Sequence, residues 1–147
     1  MRLPLTAAFL PVHLWWLVSV YTAASLAHFV HNTEYITFYP NMPAWIGRET
    51  VYLAWLAIAA VGVAGLLASR LRLRPLAALL LAVYGALGLD GLAHYTLALC
   101  SEHTLATNFT IWAEVVSGFL LLLAAGAWMG RLIRVEVRAP GHALEFQ

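Results

Sequence analysis

The chain lacks most of what a soluble protein puts on its surface. Among 147 residues there is no lysine, one aspartate and one cysteine, and only 10% of residues are charged. The lone Cys100 excludes an intramolecular disulfide framework. A net charge near +1, with no basic face beyond arginines that flank apolar stretches, excludes nucleic acid as a partner. There is also no internal repeat and no low-complexity segment. What remains is 63% hydrophobic with a mean hydropathy of +0.81, far above the roughly 45 to 50% apolar content of a soluble domain.

That apolar content falls into four runs, at 6–30, 51–68, 76–99 and 105–129, each close to or above the ~20 residues that cross a hydrocarbon core. With their flanking turns the spans are placed at 6–38, 49–69, 75–99 and 104–130. The expected fold is an all-α polytopic membrane protein: one four-helix transmembrane bundle over 1–138, a short interfacial segment between helices one and two, and a polar, disordered cytoplasmic tail at 139–147. A signal peptide does not fit the first run, which is too long for an h-region, contains His13 and lacks a small-residue cleavage site.

All eight basic residues are arginines, and their placement sets orientation. Arg2 precedes span one, Arg70, Arg72 and Arg74 separate spans two and three, and Arg131, Arg134 and Arg138 follow span four. Only Arg48 lies on the other side. The positive-inside rule puts both termini and the 69–75 loop in the cytoplasm, as expected of a bacterial inner (plasma) membrane protein.

The outer connections differ in character. Residues 32–49 carry Pro40, Asn41, Pro43 and Gly47 among Phe38, Tyr39 and Trp45, so helix one should end near Tyr39. Pro43-Ala44-Trp45 is expected to lie along the interface as a re-entrant turn or short helix. The second connection, 100–105, is brief and makes spans three and four antiparallel neighbours. Pro75 suits the first turn of span three.

Against this background, ionisable groups inside apolar runs stand out, because they are costly in hydrocarbon and mark functional sites. At 100° per residue, His28, His31, Asn32 and Tyr35 share a sector of roughly 100° on span one. Asp90 and His94 sit at i and i+4 on span three, beside Gly85, Gly88 and Gly91, whose small size allows a close helix contact. His103, Thr107, Thr110, Glu114 and Ser117 share a face of span four, with Asn108 about 120° from Glu114. Asp90 and Glu114 should both lie roughly 12 to 15 Å below the outer surface. The set describes a funnel open to the outside, with two carboxylates on its floor and His103 and Asn108 at its rim. His13 and Glu34 fall outside it.

His-x2-His on one helix and Asp-x3-His on another suggest a metal site of the kind helical bundles build. Its ligands would be His28, His31, Asp90, His94 and His103, with Asn32, Tyr35, Asn108 and Thr110 orienting them. Zinc, iron or copper suits such donors, and the lack of Cys and Met there disfavours a cuprous site. Glu114 and Asp90 would be the catalytic groups, in redox or hydrolytic chemistry on a small apolar or lipidic substrate. Haem b held between His28 or His31 and His94 is an alternative. So are cofactor-free acid/base chemistry on a lipid and service as an accessory subunit. Expected partners are membrane lipids, an apolar substrate, and a partner subunit or second copy.

Two resemblances bear on these readings. Asp90-x3-His94 followed by His103 resembles the copper-binding Asp-x3-His and later His of the C subunit of particulate methane and ammonia monooxygenases, with a shorter second spacing here. His28 with Glu34, Pro43-Ala44-Trp45, Asp90 and Asn108 are similar to elements of the EXPERA family of four- and five-span proteins, which includes sterol isomerases. That resemblance implies an isomerase or sterol-binding role with His28, Asp90 and Glu114 as proton carriers.

Overall fold

Pro11, held near φ −54° at the cap, starts a helix that the chain sustains from Val12 to Glu34 (α1). The computed structural model describes residues 9–138; the expected start of span one, Arg2 and the tail 139–147 lie outside the described residues. Gly47 precedes α2 (Arg48–Arg70), and Glu49 in its first turn complements the positive end of the helix dipole. After a tight turn, Pro75 opens α3 (Arg74–Leu97). The last helix, α4, runs from Leu105 to Arg138 and continues two turns past the expected end at 130. The described residues contain no strand.

Three helices, α2, α3 and α4, are long and apolar enough to cross a membrane. At 23 residues α1 equals α2 in length, about 35 Å at 1.5 Å per residue, but His28, His31, Asn32, Thr33 and Glu34 make its last third polar. It also ends sooner than the Pro40 signal implied. Glu34 is its last residue, and a single 3-10 turn over Ile36–Phe38 leads into the connection. Pro43-Ala44-Trp45 forms a turn, closed by the Ile46 amide donating to the Pro43 carbonyl at 2.9 Å, and not a short helix.

Small residues set how closely the helices approach. A Cβ at Gly85 would sit 2.6 Å from the Gly118 carbonyl oxygen and 2.7 Å from the Leu122 nitrogen, so α3 and α4 touch backbone to backbone. Gly62 and Gly65 bring α2 onto Tyr84 and Leu81 of α3 in the same way. Leu14, Val18, Leu81, Leu121, Ala125 and Trp128 then fill the half of the bundle nearer the 70–74 turn with an apolar plug. Outward-facing Leu53, Leu56, Val63, Phe119, Leu120 and Leu123 are exposed, as suits side chains that meet lipid.

Near its other end α3 changes geometry. It tightens to a 3-10 helix over Gly88–Ala93 before a last α turn, His94–Leu97. Two glycines in four residues weaken the α-helix here. A 3-10 turn advances about 120° per residue rather than 100°, so Asp90 is rotated away from His94 towards the surface, although both still border one cavity. Asp90 is exposed, whereas His94 turns inward. The expectation of a deeply buried Asp90 is therefore corrected.

The connection over this end is pinned at two points. Arg48 binds both Glu34 carboxylate oxygens at 2.6 Å, and the Tyr52 hydroxyl donates to one of them at 3.0 Å. Asn41, with φ 58°, donates from its side-chain amide to the Leu97 carbonyl at 2.8 Å. Asn41→Ala loses that bond and places Ala in the left-handed region, each worth about 1 kcal/mol, whereas Asn41→Gly loses the bond alone. Hydrogen exchange of residues 39–47 should accelerate in both variants, and more in Asn41→Ala.

Candidate functional site

Beneath that connection lies a cavity of about 280 Å³ bounded by α1, α2 and α3 and floored by Glu114 of α4. Phe29, Met42, Trp45, Ile46, Val51 and Ala54 supply apolar walls and roof; His28, Asn32, Asp90, His94 and Glu114 supply the polar groups. The cavity opens at the side. α2 packs on the Arg74–Leu87 part of α3 and diverges from Gly88–Leu97, leaving a gap near the exposed Asp90.

At the floor, Glu114 is 1% exposed and His28 2%. Gly91 packs against Glu114, where a Cβ would lie 3.4 Å from Oε2. His28 Nε2 is 3.7 Å from Glu114 Oε2, and its Nδ1 is 3.3 Å from the Thr110 hydroxyl. That hydroxyl donates to the Thr107 carbonyl at 3.0 Å, so it accepts from His28 Nδ1–H. His28 Nε2 is therefore the ring nitrogen turned to the Glu114 carboxyl group, at a separation just beyond a hydrogen bond.

His94 packs edge-on against His28, with ring centroids 5.3 Å apart, and its Nε2 lies 3.3 Å from the Asn32 side-chain amide. Asn32 and Thr110 thus contact histidine rings. Two buried acceptors of the cavity have no hydrogen-bond partner among the described residues, Glu114 Oε2 and Asn32 Oδ1.

The remaining candidates lie elsewhere. His31 leaves the funnel and turns its Nδ1 to the Tyr39 hydroxyl at 2.9 Å. His103 is not at a rim. It is 7% exposed, packed on Tyr39, Tyr95 and His94, and neither ring nitrogen has a partner. Tyr35 is exposed and stacks on His31. Asn108 ties the α3–α4 connection together, accepting from the Tyr95 hydroxyl at 2.8 Å and donating to the Cys100 carbonyl at 2.9 Å.

This geometry overturns the expected metal centre of His28, His31, Asp90, His94 and His103. Among the described residues no three His, Cys, Asp or Glu side chains converge as a metal-binding group. The imidazoles meet edge to face, at 73° for His28 with His94 and 81° for His94 with His103, instead of aiming lone pairs at one point. The same contact leaves no slot for a porphyrin between His28 and His94, so haem b is corrected with zinc, iron and copper. The redox and hydrolytic chemistry expected of a metal loses its ligand set.

Tyr39 was missed as a site residue. Its place after a proline-marked helix end and among interfacial aromatics suggests the headgroup region, yet it is 4% exposed and touches His31, His94 and His103. Helical phase carries no information about a side chain that follows the helix. On the side of Glu114 nearer the 70–74 turn, Ser25, Tyr21 and Tyr84 are buried, and Thr22 bonds the Tyr84 hydroxyl at 3.0 Å. These polar groups stop at the apolar plug, so the arrangement is a site and not a path across the bundle. No family model, no curated protein and no solved structure matches this chain.

Proposed function

We propose that this chain is a four-span membrane bundle that binds a small amphiphile from the bilayer and catalyses a cofactor-free proton transfer on it. The observation that carries the reading is a buried carboxylate–imidazole pair at the floor of a cavity whose walls are otherwise mostly apolar. An acid/base pair in a water-poor pocket suits proton transfer to and from carbon or a weakly acidic oxygen.

The cavity indicates the substrate class. At about 280 Å³ it lies just below the roughly 300 to 1,000 Å³ of typical small-molecule pockets. It takes the head and first part of a chain, with the rest of the molecule in the lateral gap between α2 and α3. The unpartnered acceptors Glu114 Oε2 and Asn32 Oδ1 favour a head that donates hydrogen bonds, such as an alcohol or amine. A 1,3-shift of a double bond fits these means: one proton is added at one carbon and one removed two bonds away, with no net redox change. Glu114 and His28, side by side at the floor, are the groups that add and remove those protons in this reading.

Orientation follows from charge. Arg70, Arg72, Arg74, Arg131 and Arg134 belong to the end with the apolar plug, so that end is cytoplasmic and the cavity faces the outer leaflet. Filling the cavity tests the reading. Ala54→Trp should remove an amphiphile that co-purifies with the wild-type protein and is detected by mass spectrometry of extracted lipids. Identical lipid profiles for the two proteins would overturn it.

A further inference from the structure

We infer that the cavity selects amphiphiles with a primary ammonium head, whose three N–H groups meet His28 Nε2, Glu114 Oε2 and Asn32 Oδ1. This deepens the reading of the cavity as an amphiphile site and rests on it. It separates amine from alcohol by charge and by donor count, neither of which the cavity's size decides.

The hydrogen bonds already made leave the floor built of acceptors. The Thr110 hydroxyl is committed to the Thr107 carbonyl and accepts from His28 Nδ1–H, so Nε2 of the neutral imidazole carries a lone pair. The Asn32 amide nitrogen lies 3.3 Å from His94 Nε2, which occupies the donor end of that side chain and leaves Oδ1 without a partner. Glu114 Oε2 has no partner either, and lies 3.7 Å from His28 Nε2. His28 and Asn32 stand one turn apart on α1 and so present their acceptors side by side. All three side chains are more than nine-tenths buried and line the cavity. The Thr50 hydroxyl and the Trp45 indole, which can donate, belong to exposed residues of the wall and roof and not to this floor.

Charge points the same way. Two carboxyl groups line the cavity, Glu114 at the floor and the exposed Asp90 at the lateral gap, and among the described residues no arginine does. The chain has no lysine, and Arg48 is bound to both oxygens of Glu34 at 2.6 Å. The cavity therefore carries acidic groups without a built-in cation. An ammonium between mostly apolar walls keeps its charge only beside a carboxylate. Glu114 supplies that carboxylate, and Asp90 draws the cation towards the gap between α2 and α3. A primary ammonium brings three donors and no acceptor to three acceptors, whereas an alcohol brings one donor and two lone pairs. A quaternary ammonium brings charge without a donor, and anionic heads are repelled.

The test titrates the full chain in maltoside micelles with decylamine, decanol or decyltrimethylammonium at neutral pH, where the amine is protonated. Binding is read from the rise in thermal midpoint, with the rise in Ala54→Trp, whose cavity is filled, subtracted as the effect of the micelle. Decylamine should bind at least about tenfold more tightly than either of the other probes. Glu114→Gln keeps an acceptor but removes the charge, and should bring decylamine down to the level of decanol. Asn32→Leu removes an acceptor without touching the charge, and should weaken decylamine more than decanol. The ranking on the wild-type protein decides the head without any variant. Decanol or decyltrimethylammonium binding as tightly as decylamine would overturn the ammonium head and leave the amphiphile site standing. Equal rises in wild type and Ala54→Trp for all three probes would overturn both.

Discussion

His28→Leu is expected to lower the stability of the bundle by about 1 to 3 kcal/mol, the range for leaving a buried polar group without its partner. The reason is what it strands. Glu114 is 1% exposed and already has one carboxylate oxygen without a hydrogen-bond donor. Without His28 the carboxyl group keeps its desolvation penalty and loses its nearest proton partner. Glu114→Leu alone should cost less, because a neutral imidazole retains its bond to Thr110. The double variant His28→Leu/Glu114→Leu should recover most of the loss, since replacing a whole buried pair by apolar groups is often neutral or stabilising. Thermal unfolding in detergent, arranged as a double-mutant cycle, reads the coupling directly. Strictly additive losses would show that the two side chains do not act as a pair. A stable double variant without turnover would show that the pair is retained for chemistry at the expense of stability.

Gly85→Ala is the second large effect, from the opposite cause. The new methyl would meet the Gly118 carbonyl oxygen at 2.6 Å and the Leu122 nitrogen at 2.7 Å. Both are backbone atoms of α4 and cannot rotate away, so α3 and α4 must separate. Overpacking of this kind costs about 1 to 3 kcal/mol or more, and the separation also shifts Gly91 relative to Glu114. Gly126→Ala is the internal control. A Cβ there meets nothing within 4 Å, so helix propensity alone should leave stability unchanged or raise it by up to about 1 kcal/mol. The two thermal midpoints should move apart; equal shifts would show that the close α3–α4 contact is absent in the membrane.

Much of this was legible before folding. Run length and hydropathy point to long apolar helices, and the spacing of Gly85 and Gly88 anticipates the close approach of α3 to its neighbours. The faces of α1 and α4 were read correctly for His28, Asn32, Thr110 and Glu114, because both helices keep α-geometry through those residues. The same arithmetic failed on α3. Extrapolating 100° per residue across Gly88–Ala93 buried Asp90 as deeply as Glu114, whereas the 3-10 turn leaves it exposed at the edge of the cavity it shares with His94. His31 and His103 were misjudged for a different reason: Tyr39 folds back from the connection and sits among them, a placement with no periodic signal.

Composition alone therefore decides that this is a helical protein with segments able to cross a membrane, since burying or immersing so much apolar surface leaves few alternatives. It also names the polar side chains that are out of place in hydrocarbon. Whether those side chains can converge on a metal is decided by ring orientation, and orientation comes from contacts between helices and from one loop tyrosine. Residue type supplies the donors, but tertiary packing decides which way each lone pair points.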